Sequence, residues 1–346
     1  MEFFAVASSG TEKALQKELI ELGFNSVRLN TGGIPFLGEI SDGWRACLYS
    51  RIAQRIYIVI SRFQCLNENE LYNNVKKINW AKYLTPEHTL AVAAFCHSSN
   101  LNNSSYISRK VKDAIVDNLR EKFASRPNVD KDNPDIRVFL FLGNNKATLY
   151  LDMSGEPLFQ RGYRIEKGEA PLKETIASAM LMYSDWDRTT PLWDPMCGSG
   201  TIPIEAALWA RNIAPGIFRE KFGFERWADF TSEDTETMRV IRGEARRNLN
   251  SNMPVITASD NNHEILEIAK NNARRAGIRL SFKLVNVENL QANNTRRFIV
   301  TNPPFDKRFS IEKDFYRQLG ASLSRMHGSR LALICSNPSI YQYIPY

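Results

Sequence analysis

No stretch of the 346 residues stays apolar for the length of a membrane-spanning helix, and none is low in complexity or internally repeated. Membrane partners are therefore not expected. Cysteine is sparse and scattered: Cys47, Cys65, Cys96, Cys197 and Cys335 form no CxxC pair, which sets aside a zinc ribbon or disulfide framework and favours a reducing compartment. His88, His97, His263 and His327 stand apart without ligand spacing, so no metal site is expected. The opening Met1–Ala7 is too short and lacks the basic flank of a secretion signal, and a cytoplasmic location is expected.

What the chain does have is ordinary folded-protein composition, 43% hydrophobic and 24% charged, over a length that implies two or three domains. A net charge of +7 favours a polyanionic partner without choosing one. Phe3–Ala7 reads as a strand, and Thr11 is a candidate cap for a helix through Leu22 that Gly23 stops. Val27–Leu29 and Ile34–Leu37 are strand-like, Gly43–Arg51 is helical, and Ile56–Ile60 is a strong strand. Next come a helix over Leu71–Ile78, a strand at Leu90–Phe95 and a helix over Ser108–Phe123. A hairpin of Ile136–Leu142 and Ala147–Asp152 turns around Gly143-Asn144-Asn145. After a linker near Gly155–Arg164, helical and strand patterns alternate, as a parallel doubly wound sheet requires.

Three stretches of that second half carry chemistry. Leu192-Trp193-Asp194 runs into Pro195-Met196-Cys197-Gly198-Ser199-Gly200-Thr201, a glycine bend opening an apolar helix. Such a bend lets backbone approach a ligand beneath unpaired helix N–H groups. Val255–Asp260 is a second buried strand ending in an acid, followed by Asn261, and Phe298–Thr301 ends in Asn302-Pro303-Pro304-Phe305. In that order, the three together resemble S-adenosylmethionine-dependent methyltransferases that act on exocyclic amino groups.

Upstream, the helix Arg109–Ile115, the loop Arg126–Asp130, Asp135–Val138, Asp152–Gly155 and Arg161–Arg164 resemble a THUMP module preceded by a ferredoxin-like domain. The whole is similar to bacterial large-subunit ribosomal RNA guanine-N2 methyltransferases of the RlmL type. The resemblance implies an α/β chain: a ferredoxin-like α+β domain over 1–60, THUMP over 61–155, a linker over 156–165 and a Rossmann-like class I methyltransferase domain over 166–346. It implies RNA as partner and S-adenosyl-L-methionine as cofactor, and a monomer is favoured. Sheets of that class carry two further strands after the segment around Leu331–Cys335, so the closing hairpin is expected to be absent here or the chain shortened.

The bend Met196–Gly200 would face the amino-acid end and sulfur of the cofactor, with Asp194 accepting from its ammonium. Asp260 would accept from the ribose hydroxyls. Asn286, where relatives usually have Asp, and Val287 would border the adenine, because an amide oxygen still accepts a hydrogen bond there. Thr175 would border the methionine end or cap its helix. Asn302 and the Pro303 carbonyl would accept the two N–H bonds of the target amine, the paired Pro303 and Pro304 would fix the turn, and Phe305 would stack on the base. Cys197 is read as a small packing residue rather than a nucleophile. Arg109, Lys110, Lys112, Arg126, Arg161, Arg164 and Lys167 are the candidate RNA contacts, with the linker cations Arg161, Arg164 and Lys167 favoured. Three alternatives stay open: the same chemistry on transfer RNA, adenine N6 methylation of DNA, and a non-catalytic RNA-binding or assembly factor.

Overall fold

The computed structural model describes residues 1–165, 172–287, 290, 295–303, 309–335 and 342–344, with the side chains of 309–314 left aside. The chain divides into two compact units, Met1–Leu158 with Arg219–Glu244, and Phe159–Phe218 with Ala245–Tyr346.

The first unit is built on one seven-stranded sheet. In chain order it contains β1 (Glu2–Val6), α1 (Glu12–Glu21), β2 (Gly33–Leu37), α2 (Ile40–Tyr49), β3 (Arg55–Gln64), α3 (Glu68–Lys76), β4 (Thr89–His97), α4 (Ser104–Phe123), β5 (Asn128–Val129), β6 (Ile136–Gly143) and β7 (Lys146–Asp152). The strands lie in the order β2-β1-β3-β7-β6-β4-β5, antiparallel except where β4 pairs with β6 and β5. Ile136, Val138, Leu140, Ala147, Leu149 and Leu151 are buried on one face of β6 and β7, and the residues between them face the other way, where Tyr150 and Asp152 are buried as well. Asn144 and Asn145, both at positive φ, close the expected hairpin as a two-residue turn whose twist matches the strands.

Several expectations shift. The expected border between 60 and 61 is not displaced by this architecture, but it lies within β3, whose pairing with β7 makes the two amino-terminal modules share one sheet. Val27–Leu29 is not a strand, because only Asn25 bridges to Leu37. Thr11 precedes α1 as expected, yet its hydroxyl donates to Ser8 O (2.8 Å) and makes no cap bond. α2 begins earlier than Gly43: Asp42 Oδ2 accepts from Glu39 N (2.9 Å) and so satisfies the backbone at the helix start.

A further departure concerns residues that follow in sequence within the second half. Arg219–Glu244, expected in the methyltransferase domain, belongs to the first unit. There Trp44 stacks on Phe224 (5.5 Å) and meets Phe230 edge-on (5.7 Å), while Arg219 donates to the carbonyl oxygens of Ser154 (3.3 Å), Glu156 (3.0 Å) and Pro157. The helix α7 (Ser232–Arg247) spans the border. Flanking turn chemistry left these aromatic anchors invisible as a separate piece.

The second unit holds α5 (Glu174–Tyr183), β8 (Leu192–Asp194), α6 (Thr201–Ala210), β9 (Ile256–Asp260), α8 (His263–Arg275), β10 (Ser281–Leu284), β11 (Phe298–Thr301), α9 (Phe309–Leu323) and β12 (Arg330–Leu333). Its five strands run β10-β9-β8-β11-β12, every pair parallel. β8 and β11 are buried throughout, as strands covered on both faces must be. Leu192, Phe298 and Val300 pack with α5 and α6, whereas Trp193 and Ile299 pack with Tyr316 and Leu319 of α9. Among the described residues no helix is long and apolar enough to cross a membrane, and no group of His, Cys, Asp or Glu could hold a metal ion.

Candidate active site

Strand order reverses between β8 and β11: β9 and β10 lie to one side, β12 to the other. In open parallel sheets the crevice outside the strand tips at such a switch point is where ligands bind. A cavity of about 440 Å³ opens there, a size in the usual range for small-molecule sites.

Its floor is the bend between β8 and α6. Gly198 and Gly200 both adopt positive φ, +52° and +88°. Gly200 is fixed for a second reason, since an added Cβ would lie 3.1 Å from Ala269 Cβ of α8. The bend is held from outside itself: Cys197 N donates to Ser259 O (2.8 Å), Gly198 N to Asp260 Oδ2 (2.9 Å), and Asn272 Nδ2 to Ser199 O (3.1 Å). Pro195, Met196 and Gly198 line the cavity; Cys197, Ser199, Gly200 and Thr201 do not stand on its wall. Cys197 packs with Ala258, Leu266 and Ala269, and burial, with the charges of Asp194 and Asp260, pushes its thiol well above the ordinary range. It is a packing residue without thiolate character.

Asp260 and Asn261 form the next wall. Asp260 accepts from Gly198 N and, through Oδ1, from Asn262 N (3.0 Å). A carboxylate has about four acceptor positions, so two remain for donors in the cavity. Val285, Asn286 and Val287, beyond β10, continue the wall, and Ser322 of α9 fastens it by donating to Val287 O (2.8 Å).

Asn302 closes the opposite side. Its Oδ1 is buried and accepts no hydrogen bond among the described residues. An amide oxygen left so costs about 1–3 kcal/mol, which a donor on a ligand would recover. Pro303 is buried beside it, while Pro304 and Phe305 lie outside the described residues. Phe315 and Gln318 of α9 also line the cavity. The sequence reading missed them, although their i,i+3 spacing on the helix returning over the strand tips is a usable signal.

Asp194 stands differently from expectation. It is 1% exposed, absent from the cavity wall, and its Oδ1 accepts from Thr301 Oγ1 (2.7 Å) and Met196 N (3.2 Å). It therefore ties the glycine bend to the residue preceding Asn302. Burial pushes its carboxyl up to about 7 against those two donors, and the charge of Asp260 adds to the rise. Thr175 is no cap: it lies in the first turn of α5, buried, and its Oγ1 has no partner among the described residues.

Two of the favoured RNA contacts are corrected. Arg161 is 2% exposed and pairs with Glu205 (3.5 Å), which also accepts from Tyr163 (2.9 Å) and Ser178 (2.9 Å). Arg164 donates to Glu174 (2.8 Å), Leu172 O (2.6 Å) and Thr201 Oγ1 (3.3 Å), with little side chain exposed. Both guanidinium groups lock the linker onto α5 and α6, and buried charges so occupied cannot meet phosphate. Burial raises Glu174 to about 7 despite Arg164. Lys167 lies outside the described residues. Arg109 and Arg126 are exposed, while Lys110 pairs with Glu68 (3.9 Å) and Lys112 with Asp113 (2.8 Å).

Residues 161–342 match the family model described as RMKL-like, methyltransferase domain. The chain belongs to the RMKL-like methyltransferase family. A THUMP domain model matches 65–152, and the RlmL ferredoxin-like domain model matches 2–57. The Ribosomal RNA large subunit methyltransferase K/L of Aliivibrio salmonicida is 38% identical over 347 residues, covering 97% of this chain and 49% of that protein. The chain thus spans about half the length of the curated relatives it matches. Among solved structures, a predicted N6-adenine-specific DNA methylase from Listeria monocytogenes superposes with a TM-score of 0.89 at 32% identity, covering 99% of this chain and 90% of that one. SMU.472, solved complexed with SAH, gives a TM-score of 0.87 at 29% identity, with 99% and 91% covered. RMKL-like membership thus agrees with a class I α/β fold joined to ferredoxin-like and THUMP modules.

Proposed function

We propose that this chain methylates the exocyclic N2 of a guanosine in large-subunit ribosomal RNA, using S-adenosyl-L-methionine. The observation that carries the reading is Asn302, with no hydrogen bond to its Oδ1 among the described residues, on the wall of the cavity that Asp260 and the glycine bend also line. The names of the K/L relatives support the substrate, and the SAH in SMU.472 supports the cofactor.

The residues present fit that cofactor. Asp260 keeps two acceptor positions for ribose hydroxyls, and Asn286 and Val287 border the space for an adenine. Met196 and Gly198 of the glycine bend would border the cofactor's sulfur end. S-adenosyl-L-methionine supplies a methyl group already activated on a cationic sulfur. A guanine amine is a weak nucleophile because its lone pair is delocalised into the ring. Asn302 Oδ1 and the Pro303 carbonyl would accept its two N–H bonds, turning the lone pair out of conjugation. No strong base is required, because the proton leaves after the nitrogen has gained its positive charge. Catalysis then rests on positioning and fixed dipoles.

Ribosomal RNA from a strain lacking the gene, incubated with the protein and methyl donor, should gain N2-methylguanosine on mass-spectrometric mapping. The likeness to the Listeria protein gives DNA adenine N6 methylation as the second reading. Transfer of labelled methyl to DNA in preference to RNA would put that reading first.

A further inference from the structure

One face of the seven-stranded sheet is not accounted for by the site above. Where Ile136, Val138 and Leu140 point into the core, Arg137, Phe139 and Phe141 point to the other face, and registry brings aromatic rings of four other strands beside them. Phe139 stacks on Tyr57 of β3 (5.5 Å) and lies 6.2 Å from Tyr150 of β7, which meets Tyr57 (5.6 Å) and Phe4 of β1 (5.9 Å). Further along, Phe141 stacks on Phe95 of β4 (6.0 Å) and touches His97 (5.4 Å). Phe95 is 53% exposed, His97 is exposed, and the phenylalanines Phe4, Phe139 and Phe141 are half-buried. A folded protein seldom leaves such a row of rings open to water without using it.

The charge around the row points to an occupant. Tyr57 and Phe139 help line a cavity of about 530 Å³ whose rim carries five cations, Arg55, Arg109, Lys112, Lys131 and Arg137. Arg55 is paired with Asp152, Lys112 with Asp113 (2.8 Å) and Arg137 with Glu156 (3.6 Å), which leaves Arg109 and Lys131 without a carboxylate partner among the described residues. Flat rings at roughly nucleotide spacing beside excess positive charge suit an unpaired strand, whose bases expose their faces and whose phosphates follow the cations. A duplex hides its base faces and could engage only the cations.

The geometry points to this sheet face as a stacking platform for a single-stranded RNA segment, separate from the pocket that takes the reacting base. The inference rests on the RNA reading above and names the form in which part of that RNA is held. Sequence inspection favoured cations on α4 and the linker and passed over the rings, because alternate aromatic residues in a strand also read as core.

The test compares binding of a fluorescent oligouridylate and of a blunt RNA duplex by the full chain and by Phe95→Leu and Phe95→Ala/Phe141→Ala variants. Leucine keeps apolar packing and removes the aromatic face, so Phe95→Leu guards against misfolding. Loss of about tenfold in oligouridylate affinity, with duplex affinity and melting temperature kept, is the expected result. Unchanged oligouridylate affinity in both variants overturns the platform. So does failure of the parent chain to prefer oligouridylate, or loss of a concentration-dependent dimer in the variants, which would make the face a self-association surface. Methyl transfer to ribosomal RNA by the parent chain is measured alongside: transfer with unchanged oligouridylate binding refutes only the platform, whereas absence of transfer refutes the catalytic reading.

Discussion

Replacing Asp194 by asparagine should make the protein more stable at pH 8 while weakening its response to pH. The carboxyl sits at about 7, against an ordinary value of 3.8, because burial outweighs the donors Thr301 Oγ1 and Met196 N. An acid whose native pKa is raised binds more protons folded than unfolded. Stability therefore falls as pH rises from the unfolded value towards 7 and is flat above it. A rise of about three pKa units corresponds to up to about 4 kcal/mol of destabilisation at pH 8, with no discount for solvent at a side chain only 1% exposed. Asparagine keeps an oxygen for the Thr301 hydroxyl and the Met196 amide, and it carries no charge to desolvate. Urea unfolding followed by tryptophan fluorescence at pH 5, 6.5 and 8 supplies the readout. The variant should gain about 4 kcal/mol at pH 8 and less than half of that at pH 5, leaving the slope that Glu174, also raised to about 7, still contributes. If D194N is no more stable than the parent chain at pH 8, or the gain is the same at all three pH values, the account of Asp194 as a buried charge is wrong.

Other substitutions read different parts of the architecture. Asn302→Ala should lower kcat by about 100-fold or more, while calorimetry shows the methyl donor bound as before. Gly200→Ala, at φ +88° and against Ala269, should cost more than about 1 kcal/mol and weaken donor binding, which calorimetry would register. Glu205→Ala leaves Arg161 buried without its carboxylate and should destabilise by about 3–5 kcal/mol in chemical melts, with Glu205→Gln costing less. Arg161→Ala should likewise lower melting temperature without changing the salt dependence of RNA binding, which would drop by about one counterion if Arg161 met a phosphate.

Much of the second unit was legible because local signals there coincide with the cavity wall. The glycine bend, the acid ending β9 and the Asn-Pro turn after β11 each sit at a strand tip, and parallel order brings the tips together. Burial was harder to read. Arg161 and Arg164 look like surface cations in a polar linker, and only the fold supplies their partners, Glu205 far along the chain and Glu174 ten residues on. Asp194 shows the same limit: its position was foreseen, but its engagement with Thr301 depends on the pairing of β8 with β11. The seam through β3 escaped notice because pairing with β7 joins residues about ninety apart, beyond any local pattern.

The membership of Arg219–Glu244 in the first unit bears on how the chain is made. Synthesis proceeds from the amino terminus, so Trp44 has no Phe224 or Phe230 to meet until α5, β8 and α6 have already left the ribosome. The amino-terminal half of the polypeptide must wait, with an aromatic surface uncovered, for a piece encoded inside its neighbour. A gene cut after Leu158 would make that wait permanent, and its product should need chaperone cover or aggregate.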